Sequence, residues 1–116
     1  DIAGVLRGWC GLRGMNMEAR YAELAFVFAS EADYAAPLAD ETLRYLLGEA
    51  FVHYDLYKII CLCLDTEPAL RQCLDRRGFV CAGTQRQALF SGGAWHDIHT
   101  LVLPVSKYAA SGVATP

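Results

Sequence analysis

Four carboxylates, Glu31, Asp33, Asp40 and Glu41, crowd one stretch of this chain, where the loop SEADYAAPLA runs into the strong helix signal DETLRYLLGEAFVHYDL. A loop opening onto a helix N-terminus offers unpaired backbone N–H groups and the positive end of the helix dipole, so this junction is the first place to look for an anionic ligand. Its own carboxylates work against that use, with no cation before Arg44. Further along, His96 and His99 flank Asp97. On a strand, His96 and Ile98 share one face and Asp97 and His99 the other, and a metal would need a third ligand that the sequence does not identify. His53 falls on a helix's solvent side, and the expectation for all three histidines is packing or surface work, with no metal bound. The five cysteines, Cys10, Cys61, Cys63, Cys73 and Cys81, cannot all pair, and none lies in a Cys-x-x-Cys motif. They read as small core residues of a reducing cytosol, with a disulfide or a reactive thiol as the alternative, and Cys61 and Cys63 lie on the same side of a strand.

The elements that must position these residues follow from periodicity. Ile2 to Leu12 reads as a glycine-weakened strand that turns at Arg13-Gly14-Met15-Asn16, and Arg20 to Ala29 reads as a second strand, buried on both faces where it becomes LAFVFA. Asp40 is the expected N-cap of the central helix, whose stripe is Leu43, Leu46, Leu47, Ala50, Phe51 and Tyr54. Tyr57 to Leu64 is an interior strand by its β-rich apolar run. Thr66 caps a second helix with Leu70, Cys73 and Leu74 on its buried side and Gly78 as its stop. Phe79 to Phe90 and Trp95 to Val105 form a hairpin through Ser91-Gly92-Gly93. The order strand, strand, helix, strand, helix, strand, strand gives an α/β layer with a mixed, mostly antiparallel sheet and two helices. The helical connection makes the strands ending near Ala29 and starting near Tyr57 parallel. One domain over 1–108 and a frayed tail over 109–116 complete the expectation.

Composition narrows the function. With 54% hydrophobic and 20% charged residues, 116 residues fit one folded domain. A formal net charge of -3, with basic residues scattered apart from Arg76-Arg77, is a poor footprint for nucleic acid or an anionic membrane. The longest apolar runs are too short to span a bilayer and no leader pattern opens the chain, so a cytoplasmic setting is expected.

Four segments carry a family resemblance: AELAFVF, ADETLRYLLGEAFVHYDLYKI, ALRQCLDRRGFVCAGTQRQALFSGGAWHDIHTLVL, and the register between them. Together they resemble the C-terminal two-thirds of the GNAT acetyltransferase superfamily, over about Ile2 to Val105, with the ribosomal-protein N-terminal acetyltransferases as the nearest branch. The resemblance implies a GNAT-like fold lacking the N-terminal strands and helices. It also implies acyl transfer from acetyl-CoA to a primary amine, on a small molecule or a peptide. In the family, the loop before the central helix reads Arg or Gln, two residues, Gly, one residue, then Gly or Ala, and its N–H groups face the pyrophosphate.

Aligned here, that motif falls on Tyr34, Ala35, Ala36, Pro37, Leu38 and Ala39, followed by Asp40 and Glu41, and only Ala39 matches. Tyr34 stands where the cation or amide belongs, and Pro37 removes an N–H donor. The resemblance further makes Glu23 the base that takes the amine proton through water. It puts Glu67 where an Asn contacts the cofactor arm, and Leu74 where a tyrosine protonates the leaving thiolate. Two functions stay open: an N-acyltransferase, or a non-catalytic GNAT-derived module that binds a protein partner or another ligand. The first strand would be a bare apolar edge, so a homodimer or a partner subunit is expected to cover it.

Overall fold

The computed structural model describes residues 8–28 and 30–110. Strand β1 (Gly8–Asn16) pairs antiparallel with β2 (Tyr21–Phe28), and the chain crosses through helix α1 (Pro37–Gly48) to β3 (Lys58–Leu64), which lies parallel to β2. Helix α2 (Pro68–Arg76) then leads into the hairpin β4 (Val80–Ser91) and β5 (Ala94–Pro104), and a short helix α3 (Val105–Ala110) follows. The sheet order is β1-β2-β3-β5-β4, so β1 and β4 are its edges among the described residues. Three of the four neighbouring pairs are antiparallel, as the sequence pattern requires.

Several boundaries differ from expectation for physical reasons. The first strand runs on through Asn16 and turns at 17–20, where Asn16 Oδ1 accepts the Ala19 N–H at 2.9 Å; the expected strand residues 2–7 lie outside the described residues. The acidic loop is not open, because Glu31–Ala35 forms a 3-10 turn with Ser30 as its side-chain cap. α1 begins at Pro37, whose fixed φ and missing N–H suit a first helical position, and Asp40 sits inside the first turn rather than at the cap. Glu67 takes the capping position of α2 in place of Thr66, again just before a proline. α1 continues into one π-helical turn, Glu49–His53, which rotates Tyr54 out of the apolar stripe and leaves it exposed. α3 runs through Ala109 and Ala110 and was not foreseen; of the expected tail, 111–116 lie outside the described residues.

The core lies on one face of the sheet. Ala22, Leu24 and Phe26 of β2, Ile59, Cys61 and Cys63 of β3, and Leu101 and Leu103 of β5 are buried beneath Leu43, Leu46 and Leu47 of α1 and Leu70, Cys73 and Leu74 of α2. Tyr108 of α3 closes the cluster by stacking on Phe51 at 4.7 Å. Full burial of each large apolar side chain contributes about 1.5–3 kcal/mol, so this face carries most of the stability. On the opposite face Val27 and Leu62 remain 43% and 47% exposed. Cys10 and Cys81 are also exposed, against the expectation that all five cysteines are core residues. At the end of α2, Gly78 adopts φ +92°, which a side chain would strain.

Candidate active site

β2 and β3 pair only at Tyr21–Lys58, Ala22–Ile59 and Glu23–Ile60, although the strands continue to Phe28 and Leu64. Beyond the Glu23–Ile60 rung they splay apart, and the splay opens two backbone edges. The Arg20 carbonyl accepts the Lys58 N–H, so the even-numbered peptide groups of β2 face β3. The Tyr57 carbonyl accepts the Val105 N–H on the other side of β3, so its even-numbered groups face β2. Phe26 and Phe28 therefore line one wall of the splay and Leu64 the other.

Side chains occupy both walls. The Phe28 N–H donates to the Tyr34 hydroxyl at 3.1 Å, and that hydroxyl donates to the Phe26 carbonyl at 3.4 Å. The Tyr34 ring is 8% exposed and sits edge-on to Phe26 and Phe28 at 6.0 and 5.2 Å. Burial raises its hydroxyl pKa, only partly opposed by the Phe28 bond, so the group stays a neutral donor. Across the splay, the Leu64 N–H donates to Glu67 Oε1 at 3.0 Å.

Glu23 sits at the apex, in the last paired rung and on the sheet face away from the helices. Arg13 is its cross-strand partner on β1, and Nη2 and Nε approach the same Oε1 at 2.7 and 3.3 Å. No described residue hydrogen-bonds to Oε2. The carboxylate is partly exposed, with Oε1 held by Arg13.

The junction candidates scatter. Ala35 and Pro37 are exposed, Ala39 is buried, and Ala36 and Leu38 are half-buried. The Ala36 N–H donates to the Asp33 carbonyl and the Ala39 N–H to the Ala36 carbonyl, so with Pro37 the junction has few donors left for an anion. Glu41 points along the outer flank of α1, into a groove of about 640 Å³ that it shares with Arg44, Tyr45, Glu49, His53 and Tyr108. No residue of β2 or β3 lines that groove. The side chain of Glu31 lies outside the described set.

Two cations that sequence reasoning did not assign arrive from α2. Arg76 Nη2 donates to the Tyr34 carbonyl at 2.9 Å, and the guanidiniums of Arg76 and Arg77 lie 3.6 and 3.7 Å from Asp40. They offset the acidic crowding, and the signal was the only adjacent basic pair in the chain. The histidines form a separate network. His96 reaches Asp65 and the Ser91 carbonyl, both at 3.0 Å, and His99 reaches Thr84 at 2.9 Å. The Asp97 N–H, then His96, hold the Asp65 carboxyl below its ordinary range. Both ring nitrogens of His96 are engaged, so this network anchors the hairpin to the end of β3. Among the described residues no three His, Cys, Asp or Glu side chains converge as metal ligands do, and no helix is long and apolar enough to cross a membrane.

The fold is shared with solved structures. Mutant forms of the spermidine/spermine N-acetyltransferase SpeG from Vibrio cholerae superpose with a TM-score of 0.82 at 24% identity, over 97% of this chain and 64% of theirs. The spermidine N-acetyltransferase from Vibrio cholerae in complex with CoA and spermine superposes with a TM-score of 0.79 at 24% identity, over 89% and 60%. The chain has the GNAT acetyltransferase fold. It spans about 60–65% of the length of these GNAT neighbours. Both are polyamine enzymes and do not bear on the ribosomal-protein branch. No protein-family model matches the sequence, and no curated protein does.

Proposed function

We propose that this chain is an N-acyltransferase that moves an acyl group from acetyl-CoA or a related thioester to a primary amine, with Glu23 as the base. The observation that carries the reading is the splay of β2 and β3 with Glu23 at its apex. A thioester carbonyl lodged there lies beside a carboxylate whose Oε2 takes the amine proton, through water, as the nitrogen attacks. The acyl carbon–sulfur bond breaks as the amide forms, and the thiolate leaves without an acid from the Leu74 position. Arg76 and Arg77, now shared with Asp40, are the cations that turn to the donor's phosphates. The GNAT neighbour that holds CoA and spermine supports a CoA donor and an amine acceptor.

The acceptor groove lies on the open sheet face, and we infer that a second copy or a partner subunit completes it along β1. Five free thiols fit a cytoplasmic setting. A non-catalytic binding module is the second reading, favoured by Pro37 and by the hydrogen bonds of Tyr34 inside the splay. Transfer from radiolabelled acetyl-CoA to a panel of primary amines, including peptide N-termini, separates the two. Turnover that disappears in Glu23→Gln supports the enzyme, whereas no turnover with any amine under conditions where the chain binds a partner supports the module.

A further inference from the structure

Three backbone groups that face the splay, the Phe26 carbonyl, the Phe28 N–H and the Leu64 N–H, are satisfied from within. Unpaired peptide groups at such a place cost free energy unless something bonds to them. Tyr34 supplies both partners for β2, accepting from the Phe28 N–H and donating to the Phe26 carbonyl, while Glu67 accepts from the Leu64 N–H of β3. The two side chains come from different elements, the 3-10 turn and the start of α2, and both end on peptide groups that face the same gap. The Tyr34 bonds do not serve its own turn, whereas the Glu67 bond adds to the turn into α2 in which the Glu67 N–H donates to the Leu64 carbonyl. Glu67 precedes α2 without a side-chain bond to it, and the Tyr34 hydroxyl reaches back eight residues to Phe26.

We propose that Tyr34 and Glu67 are internal caps on the two edges of the splay, so that a donor pairing with Phe26, Phe28 and Leu64 must displace them. This rests on the acyl-CoA reading above. An arm that carries amides can replace both caps, because an amide donates and accepts as a strand does. The pantetheine arm of a CoA ester has two amides. The caps therefore set the affinity for the arm and select thioester donors that have one, while the nucleotide end is held elsewhere. Arg76 links the two regions, since its bond to the Tyr34 carbonyl fixes the turn that carries the first cap.

Titrations of acetyl-CoA, pantetheine and 3′,5′-ADP into the wild type and three variants test this. Tyr34→Phe keeps the ring packing and removes only the hydroxyl. The expected result is about five- to tenfold tighter binding of acetyl-CoA and pantetheine, the worth of two neutral hydrogen bonds at the weak end of their range released from competition, with 3′,5′-ADP changed by less than about twofold. Glu67→Ala frees the Leu64 N–H and gains similarly, whereas Glu67→Gln keeps an oxygen in place and gains less. Amide exchange without any donor should speed up at Phe28 in Tyr34→Phe and at Leu64 in Glu67→Ala.

If the wild type binds acetyl-CoA and the variants bind it no tighter, the caps are overturned and the acyltransferase reading stands. If Glu67→Gln tightens binding as much as Glu67→Ala, charge rather than edge closure is responsible and the role of Glu67 falls. If no protein binds any probe although the two amides exchange faster, the acyl-CoA reading fails, and displacement by an amide-bearing arm fails with it. Unchanged exchange at both amides removes the caps whatever the titrations show.

Discussion

The two faces of the sheet carry different work. On one, three helices bury an apolar cluster in which Leu43, Leu74, Leu101 and Leu103 are 0% exposed. On the other, Val27 and Leu62 are open to solvent, and Arg13 and Glu23 form a pair in which the arginine is mostly exposed and the glutamate partly so. Substitution on the first face removes packing, whereas substitution on the second, under the proposed function, removes chemistry and little stability. The splay joins them, since Glu23 looks out from the rung at which the buried side begins to separate.

The largest effect expected of a single substitution is at Glu23. Glu23→Gln should lower turnover by about 10²–10⁴-fold, the usual worth of a general base, with a melting temperature close to wild type. A large loss of stability would instead make Glu23 part of the core account. The reverse pattern is expected of Leu43→Ala, which should cost about 2–5 kcal/mol in denaturant unfolding, whereas Leu62→Ser on the open face should change stability by no more than about 0.5 kcal/mol. Equal costs at the two positions would break the comparison.

A smaller effect belongs to Arg13, whose exposed pair with Glu23 contributes about 1 kcal/mol or less to folding. Arg13→Met should lower turnover by about fivefold through loss of carboxylate positioning, and Arg13→Lys should recover part of it. Unchanged turnover in Arg13→Met would show that Glu23 needs no partner. The last effect vanishes at neutral pH. Burial pushes the Cys61 thiol up to about 12 and the Cys63 thiol up to about 11, from 9.0. Because these folded values are raised, the stabilisation is fully present below pH 9 and is lost as pH rises towards 11–12. Unfolding free energies measured between pH 8 and pH 11 should therefore fall, and Cys61→Ala should flatten the slope. The same slope in the variant would place the titration elsewhere.

Much of the scaffold was legible because periodicity and turn residues dictate it locally. The buried stripe of α1, the parallel placement of β2 and β3, and the Gly92-Gly93 turn, with φ +61° and +81°, all follow from such signals. Boundaries slipped where proline overrode a polar cap, as Pro37 did at Asp40 and Pro68 did at Thr66. The site was less legible. Tyr34 and Glu67 are visible in the sequence as unusual residues, but the Tyr34 bonds to Phe26 and Phe28 depend on how the strands diverge, whereas the Glu67 bond to Leu64 belongs to a local turn. Arg76 and Arg77 approach Asp40 only through the packing of α2 on the turn before α1, a contact with no local pattern.

The most direct test of a donor site in the splay is a backbone amide NMR titration of the isotope-labelled chain with acetyl-CoA. Shifts concentrated on Glu23 to Phe28, Ile60 to Leu64, and Ala36 to Asp40 are the predicted result, with the distal hairpin around Gly92 unmoved. Saturating shifts confined to the hairpin or to the outer flank of α1, or no shifts at millimolar acetyl-CoA, would contradict it.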